Sequence, residues 1–168
     1  MDEDGVDRIL GQWARERPEL GTEAMGILGR LNRTSAAAQA AMERTCAEFG
    51  ISRGDYDVLA TLRRSGEPFS LTPGALSNAL MLTTGGMTGR LHRLEQRGLI
   101  ARSPDPNDRR GLRVTLTREG REVIDQAVQA GVETQERLLA RLGPEQRRQL
   151  DALLRELLAG AASWVDGP

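Results

Sequence analysis

Cysteine, histidine and lysine are almost or wholly missing from this chain of 168 residues, and aromatic side chains are few. A single cysteine, Cys46, allows no internal disulfide, and with a single histidine, His92, it cannot make the spaced ligand cluster of a metal site. No phosphate loop, no Gly-x-Ser-x-Gly elbow and no His-Glu-x-x-His helix is present, so enzyme chemistry is the class supported least. No catalytic residue, metal or cofactor is expected. No window approaches the roughly 18 apolar residues of a spanning helix, and the acidic start MDEDGVDRIL has no long apolar run. The expectation is a cytoplasmic protein without a membrane partner. Two Trp, one Tyr and two Phe leave the core to Leu, Ala, Val and Ile, which favours helices. All 23 basic residues are Arg; functional selection and a biased genome predict this equally, and nothing follows from it.

What is present is a local concentration of positive charge. From 83 to 118, eight arginines (90, 93, 97, 102, 109, 110, 113 and 118) face Glu95, Asp105 and Asp108, a balance of +5 in a chain of net charge −1. The remainder carries −6. Such an asymmetry is the footprint of phosphate contacts, whereas a merely solvated face scatters its charge.

The same stretch has a readable pattern. Met87, Leu91 and Leu94 recur at four and three residues and line one side of a helix, which Gly98 stops. Residues 99–101 and 112–116 then read as short strands, the second alternating Leu112, Val114 and Leu116 with Arg113 and Thr115. Between them SPDPNDRRG is rich in turn formers and predicts a hairpin tip standing in solvent.

Elsewhere helices dominate. Val6, Ile9, Leu10 and Trp13 predict a short amphipathic helix ended by Pro18; Trp13 is either a core residue or part of a ligand pocket. Thr22 reads as the N-cap of a long helix reaching Phe49 and ended by Gly50, with Met25, Leu28, Leu31, Met42, Cys46 and Phe49 as its apolar contacts. Ser52 with Asp55 forms a carboxylate capping box for a helix carrying Tyr56, Val58, Leu59 and Leu62 and ending near Gly66. Thr72-Pro73 starts another, with Leu76, Ala79 and Leu80 inward, and Met81-Leu82-Thr83 turns into the arginine-bearing helix. Thr117 caps a further long helix, Gly143-Pro144 breaks it, and a last helix presents Leu150, Leu153, Leu154, Leu157, Leu158 and Ala161. These long helices carry more apolar surface than a small module can cover, so a second copy is expected; the alternative is a helical hairpin folded onto its own chain.

The run Asp105-Pro106-Asn107-Asp108-Arg109-Arg110, followed by Val114-Thr115-Leu116-Thr117 and Gly120 and preceded by Leu94-Glu95 and Arg97-Gly98-Leu99-Ile100, resembles the winged helix-turn-helix of the MarR family of bacterial transcription regulators. The likeness extends more weakly over about residues 20 to 160. It implies a mainly α fold with a small β-hairpin wing and a helical dimerisation lobe from both ends of the chain. The expected organisation is an extra N-terminal helix in 1–20, a dimerisation lobe from 21–50 and 118–168, and a winged helix-turn-helix in 51–117. The partners implied are double-stranded DNA with a palindromic operator and a second copy of the chain.

With Met87, Leu91 and Leu94 inward, Thr84, Thr88 and His92 lie on the other face and Arg93 at its edge, placed for base edges and phosphates. Gly85, Gly86 and Gly89 each cost about 1 kcal/mol against Ala in a helix, so this helix depends on tertiary packing. The resemblance implies that a wing arginine, Arg110 before Arg109, enters the minor groove with Asp108 orienting it; otherwise these three residues merely close the turn.

One branch of the family, the PecS/urate-responsive one, carries an extra N-terminal helix with a Trp. Likeness to it makes Trp13 and Arg102 contacts to a small anionic effector such as urate, with Asp57 and Arg90 coupling the pocket to the recognition helix. A guanidinium fork and an aromatic face suit an anionic heterocycle, while Asp57 and Arg90 also suit a plain structural ion pair. Two other readings stand beside this one: a redox switch at Cys46, against which its apolar stripe and lack of a partner cysteine speak, and a winged-helix adapter that binds protein.

Overall fold

A computed structural model describes the backbone over residues 3–80, 84–106 and 108–165, and side chains there except at 84–85, 108–110 and 163–165. In chain order the elements are α1 (Gly5–Glu16), α2 (Glu23–Glu48), α3 (Arg53–Arg64), β1 (Ser70–Leu71), α4 (Pro73–Leu80), α5 (Thr84–Gln96), β2 (Ile100–Asp105), β3 (Asp108–Leu116), α6 (Arg118–Leu138) and α7 (Pro144–Val165). They form two compact units, residues 1–131 and 132–168.

The starts and stops follow local chemistry. Asp4 and Asp7 form a capping box on α1. The Asp7 backbone N–H first, helped by Arg30 and Val6, holds the Asp4 carboxyl at about 2. Ser52 and Asp55 cap α3 reciprocally at 3.1 and 3.2 Å, as their spacing predicts. Thr72 accepts from the Ala75 N–H at 3.2 Å ahead of α4. Thr22, by contrast, precedes α2 without a side-chain cap bond. Gly98 ends α5 with φ +70°, letting the Leu99 N–H reach Leu94 O and the Gly98 N–H reach Glu95 O.

The core of the first unit lies where the periodicity places it. Val58, Leu59 and Leu62 of α3, Leu76 of α4, Met87, Leu91 and Leu94 of α5, Val114 of β3 and Ile124 of α6 are all buried together. Ala79 is exposed, contrary to expectation. Leu76 is fully buried under α4, and Leu80 packs half-buried against the same core. Met42 and Cys46 of α2 are buried, whereas Met25, Leu28 and Leu31 in its first half remain exposed in the single chain.

Three strands pair in the order β1-β3-β2, antiparallel throughout. The stretch read as an open hairpin tip is largely ladder, with β2 running to Asp105 and β3 starting at Asp108. The turn formers do not prevent this because β2 is an edge strand, where a proline such as Pro104 is tolerated, and the register shifts beside it. Asp105 is buried and accepts from Arg113 Nε at 3.0 Å, pinning the two strands. The third strand, β1, has no periodic signature because it is two residues long.

In the second unit, Arg147 closes the turn after α6, donating to Leu139 O at 3.0 Å and Leu142 O at 3.1 Å and pairing with Glu136 at 2.6 Å. The leucines of α7 stay uncovered in the single chain, with Leu153 and Leu158 64% and 71% exposed. Among the described residues no helix is long and apolar enough to cross a membrane, and no group of His, Cys, Asp and Glu is arranged to hold a metal ion.

Candidate nucleic-acid interface

α4 and α5 follow each other across residues 81–83, and the β2–β3 hairpin rises directly after α5. Residues 81–83 and 107 lie outside the described part of the chain. The helix α5 has two unlike sides. Met87, Leu91 and Leu94 are 1%, 3% and 0% exposed, while Thr88, His92, Arg93 and Gln96 are on the exposed side. That division comes from the three- and four-residue spacing of the apolar set. It fixes which side chains can meet a partner. Gly86 and Gly89 are exposed as well, leaving this side of the helix low where it would approach a groove.

The backbone of Thr84 belongs to α5, and those of Asp108, Arg109 and Arg110 to the start of β3; their side chains lie outside the described set. The wing arginines therefore sit on the first residues of the return strand rather than in a loose loop.

Two salt bridges, one hydrogen bond and one close packing contact brace this region. Arg102 of β2 pairs with Glu95 of α5, donating from Nε at 2.8 Å and from a second nitrogen. Those bonds hold the Glu95 carboxyl below the ordinary range and raise the Arg102 guanidinium. Arg113 pairs with Asp105 within the hairpin. Arg90 leaves the groove side altogether and lies on α3, where it donates to Gly54 O at 3.1 Å. A Cβ at Gly54 would stand 2.4 Å from the Arg90 guanidinium carbon, so glycine there lets the guanidinium lie this close and a side chain would push Arg90 aside.

The expected Asp57–Arg90 pair is not the one formed. Asp57 takes Arg53, one turn back on its own helix, at 3.1 Å, because an i,i+4 partner is already in reach. Arg90 is paired with no carboxylate among the described residues and keeps a buried Nε lacking a hydrogen-bond partner there. Trp13, 39% exposed on α1, has no hydrogen bond or ring contact to Asp57, Arg90 or Arg102 among the described residues. Its helix is docked on α2 by Arg30, which pairs with Asp4 and Asp7, and by glycines 26 and 29, which admit Leu10 and Val6 at close range.

Cys46 is fully buried, and burial pushes its thiol up, away from the reactive thiolate. The geometry thus argues against the redox reading.

Sequence reasoning missed the Glu95–Arg102 bridge and the seat of Arg90 on Gly54. Opposite charges seven residues apart across a helix stop carry no periodic signal, and a glycine inside an amphipathic helix shows only that something comes close.

The chain is similar to known proteins. The family profile described as MarR family matches residues 49–111. The chain is 38% identical over 149 residues to the HTH-type transcriptional regulator PecS of Dickeya dadantii, covering 89% of this chain and 90% of PecS. A cysteine-to-serine mutant of MarR from E. coli, crystallised with operator DNA, superposes with TM-score 0.70 at 27% identity, covering 82% of this chain and 97% of that one. The structure of Bordetella bronchiseptica BpsR, whose DNA binding is regulated by 6-hydroxynicotinic acid, gives TM-score 0.66 at 28% identity over 80% of this chain and 98% of that one. With its buried-and-exposed α5 followed by the β2–β3 hairpin, the chain belongs to the MarR family of DNA-binding transcription regulators.

Proposed function

We propose that two copies of the chain grip a palindromic operator, repress transcription there, and let go when a small anionic ligand such as urate or a related compound binds. The observation that carries the DNA part is the division of α5, whose core side is shut while Thr88, His92 and Arg93 stand open beside a hairpin. In this reading residues 51–117 form the reading lobe, 21–50 and 118–168 assemble the dimer, and 1–20 add the extra helix. Thr84, Thr88, His92 and Arg93 face the major groove, and Arg109 and Arg110, with Asp108, face the minor groove.

Trp13 and Arg102 are the proposed ligand contacts, with Asp57 and Arg90 as the couplers. Arg102 is already the partner of Glu95 on α5, so an anion that takes its guanidinium also loosens the hairpin from the reading helix. Coupling needs only that the ligand bind the two arrangements unequally. Likeness to PecS over most of the chain supports this branch, and BpsR supplies a relative that answers to an acidic heterocycle.

The test is fluorescence anisotropy with a labelled duplex from upstream of the protein's own gene. Affinity is expected to fall steeply with salt, and urate, xanthine or a small aromatic acid is expected to release the duplex. Binding that ignores salt, or is absent, favours the protein-adapter reading; a complex indifferent to all those acids removes the effector.

A further inference from the structure

Phe69 stands between α3 and β1 with φ +56°, a left-handed backbone conformation that a bulky residue adopts only under constraint. The constraint is visible. Its N–H donates to Gly66 O at 2.7 Å, and its carbonyl accepts from the Leu116 N–H, at the root of the wing, at 3.0 Å. Two guanidiniums lie over its ring, Arg63 from the last turn of α3 and Arg121 from the first turns of α6, each 5.0 Å from the centroid. One carboxylate holds both cations: Asp125 accepts from Arg63 Nε at 2.7 Å and lies 3.9 Å from Arg121 Nε. The repulsion between the two like charges over one ring is partly offset by the shared anion, and each retains its attraction to the aromatic face.

We propose that Phe69, held by Arg63, Arg121 and Asp125, is a positioning residue for DNA binding, because it sets the inclination of the wing. The mechanical path is short. β1 pairs with β3 through Ser70 with Thr115 and Leu71 with Val114, reinforced by the Ser70–Thr115 hydroxyl bond at 3.0 Å. β2 holds the other edge of β3, so β1 ties the return strand back toward the helices along the edge that β2 leaves, beside the packing of Val114 and Leu116 in the core. Phe69 is the residue immediately before β1, and its clamp fastens that strand to α3 and α6 at once. Tilting β1 carries β3, which begins at Asp108 and includes Arg109 and Arg110. The strained conformation at Phe69 is kept because the clamp over-determines it.

This inference rests on the reading that the wing touches DNA, and the experiment separates the two. Phe69→Leu keeps an apolar side chain and removes the π face; Asp125→Asn leaves the ring and loosens both arginines. Full-length protein carrying each change is titrated against the labelled upstream duplex, alone and combined with Arg110→Ala, after circular dichroism confirms that each is folded. Phe69→Leu is expected to weaken binding about 3–10-fold on its own, and to add almost nothing when Arg110 is already gone, since a misplaced wing and a missing wing arginine lose the same contact. Equal losses in both backgrounds, or no loss with Arg110 present, overturn the positioning role while leaving the wing reading intact. Arg110→Ala without effect overturns both. Should Phe69→Leu fail to fold, the Asp125→Asn cycle is read by the same criteria.

Discussion

Two sets of leucines in this chain meet opposite fates. Leu59, Leu62, Leu76 and Leu94 are completely buried among residues 51–131, whereas Leu150, Leu153, Leu154, Leu157 and Leu158 of α7 lie between 37% and 71% exposed. The residue type and helical spacing are the same. The first set closes on itself because residues of α2 to α6 and the sheet converge there; the second is a stripe awaiting a surface. Full burial of an exposed leucine is worth about 1.5–3 kcal/mol, and the α7 leucines still have the exposed 37–71% of that gain to collect, so the core of residues 51–131 is finished within one chain and the α7 stripe is not. A second copy is the proposed cover.

The finished part is the more easily wrecked. A Cβ at Gly120 would lie 1.9 Å from the Leu99 carbonyl oxygen, a backbone atom with nowhere to go. Gly120→Ala is expected to cost more than about 3 kcal/mol, the upper range for overpacking, read as a lowered urea midpoint; an unchanged midpoint means that the strand–helix junction is looser than described. The unfinished part should break differently. Leu153→Glu together with Leu157→Glu is expected to leave the helical circular dichroism of the fold in place while sedimentation shifts from dimer to monomer. If the pair still sediments as the wild type does, α7 is not the assembly surface.

Smaller effects sharpen the contrast within the reading part. Arg110→Ala is expected to weaken operator binding by about 1–3 kcal/mol and to lower the salt slope by about one, with no change in thermal stability. Least of all is Glu95→Gln. Hydrogen bonds from Arg102 keep the Glu95 carboxyl below its ordinary value of 4.5, so its contribution is complete above that value and fades as pH falls through the depressed one. The wild-type advantage in urea midpoint is expected to be slight at pH 7 and to vanish in acid; an advantage that grows on acidification contradicts the pairing.

Much of the reading part was legible in the sequence because its signals are local. The Met87, Leu91 and Leu94 spacing, the Ser52–Asp55 box and Gly98 each act within one or two turns, and each is found where expected. Less was legible where tertiary partners decide. The extent of the hairpin depends on Asp105 finding Arg113 across the ladder, and β1 exists only because Phe69 and Ser70 are brought to the edge of β3. Asp57 shows the same lesson in reverse: a family likeness suggested Arg90, and a neighbour on its own helix took the carboxylate. The apolar excess of α7 was plain in the sequence, but what covers it is not written in any one chain.

The most direct test of paired α5 helices and wings on one duplex is the mass of the complex formed on the upstream DNA, measured by sedimentation at low salt. Two chains per duplex are expected, with binding lost when one half-site is scrambled. A single chain bound with undiminished affinity to the scrambled duplex contradicts it.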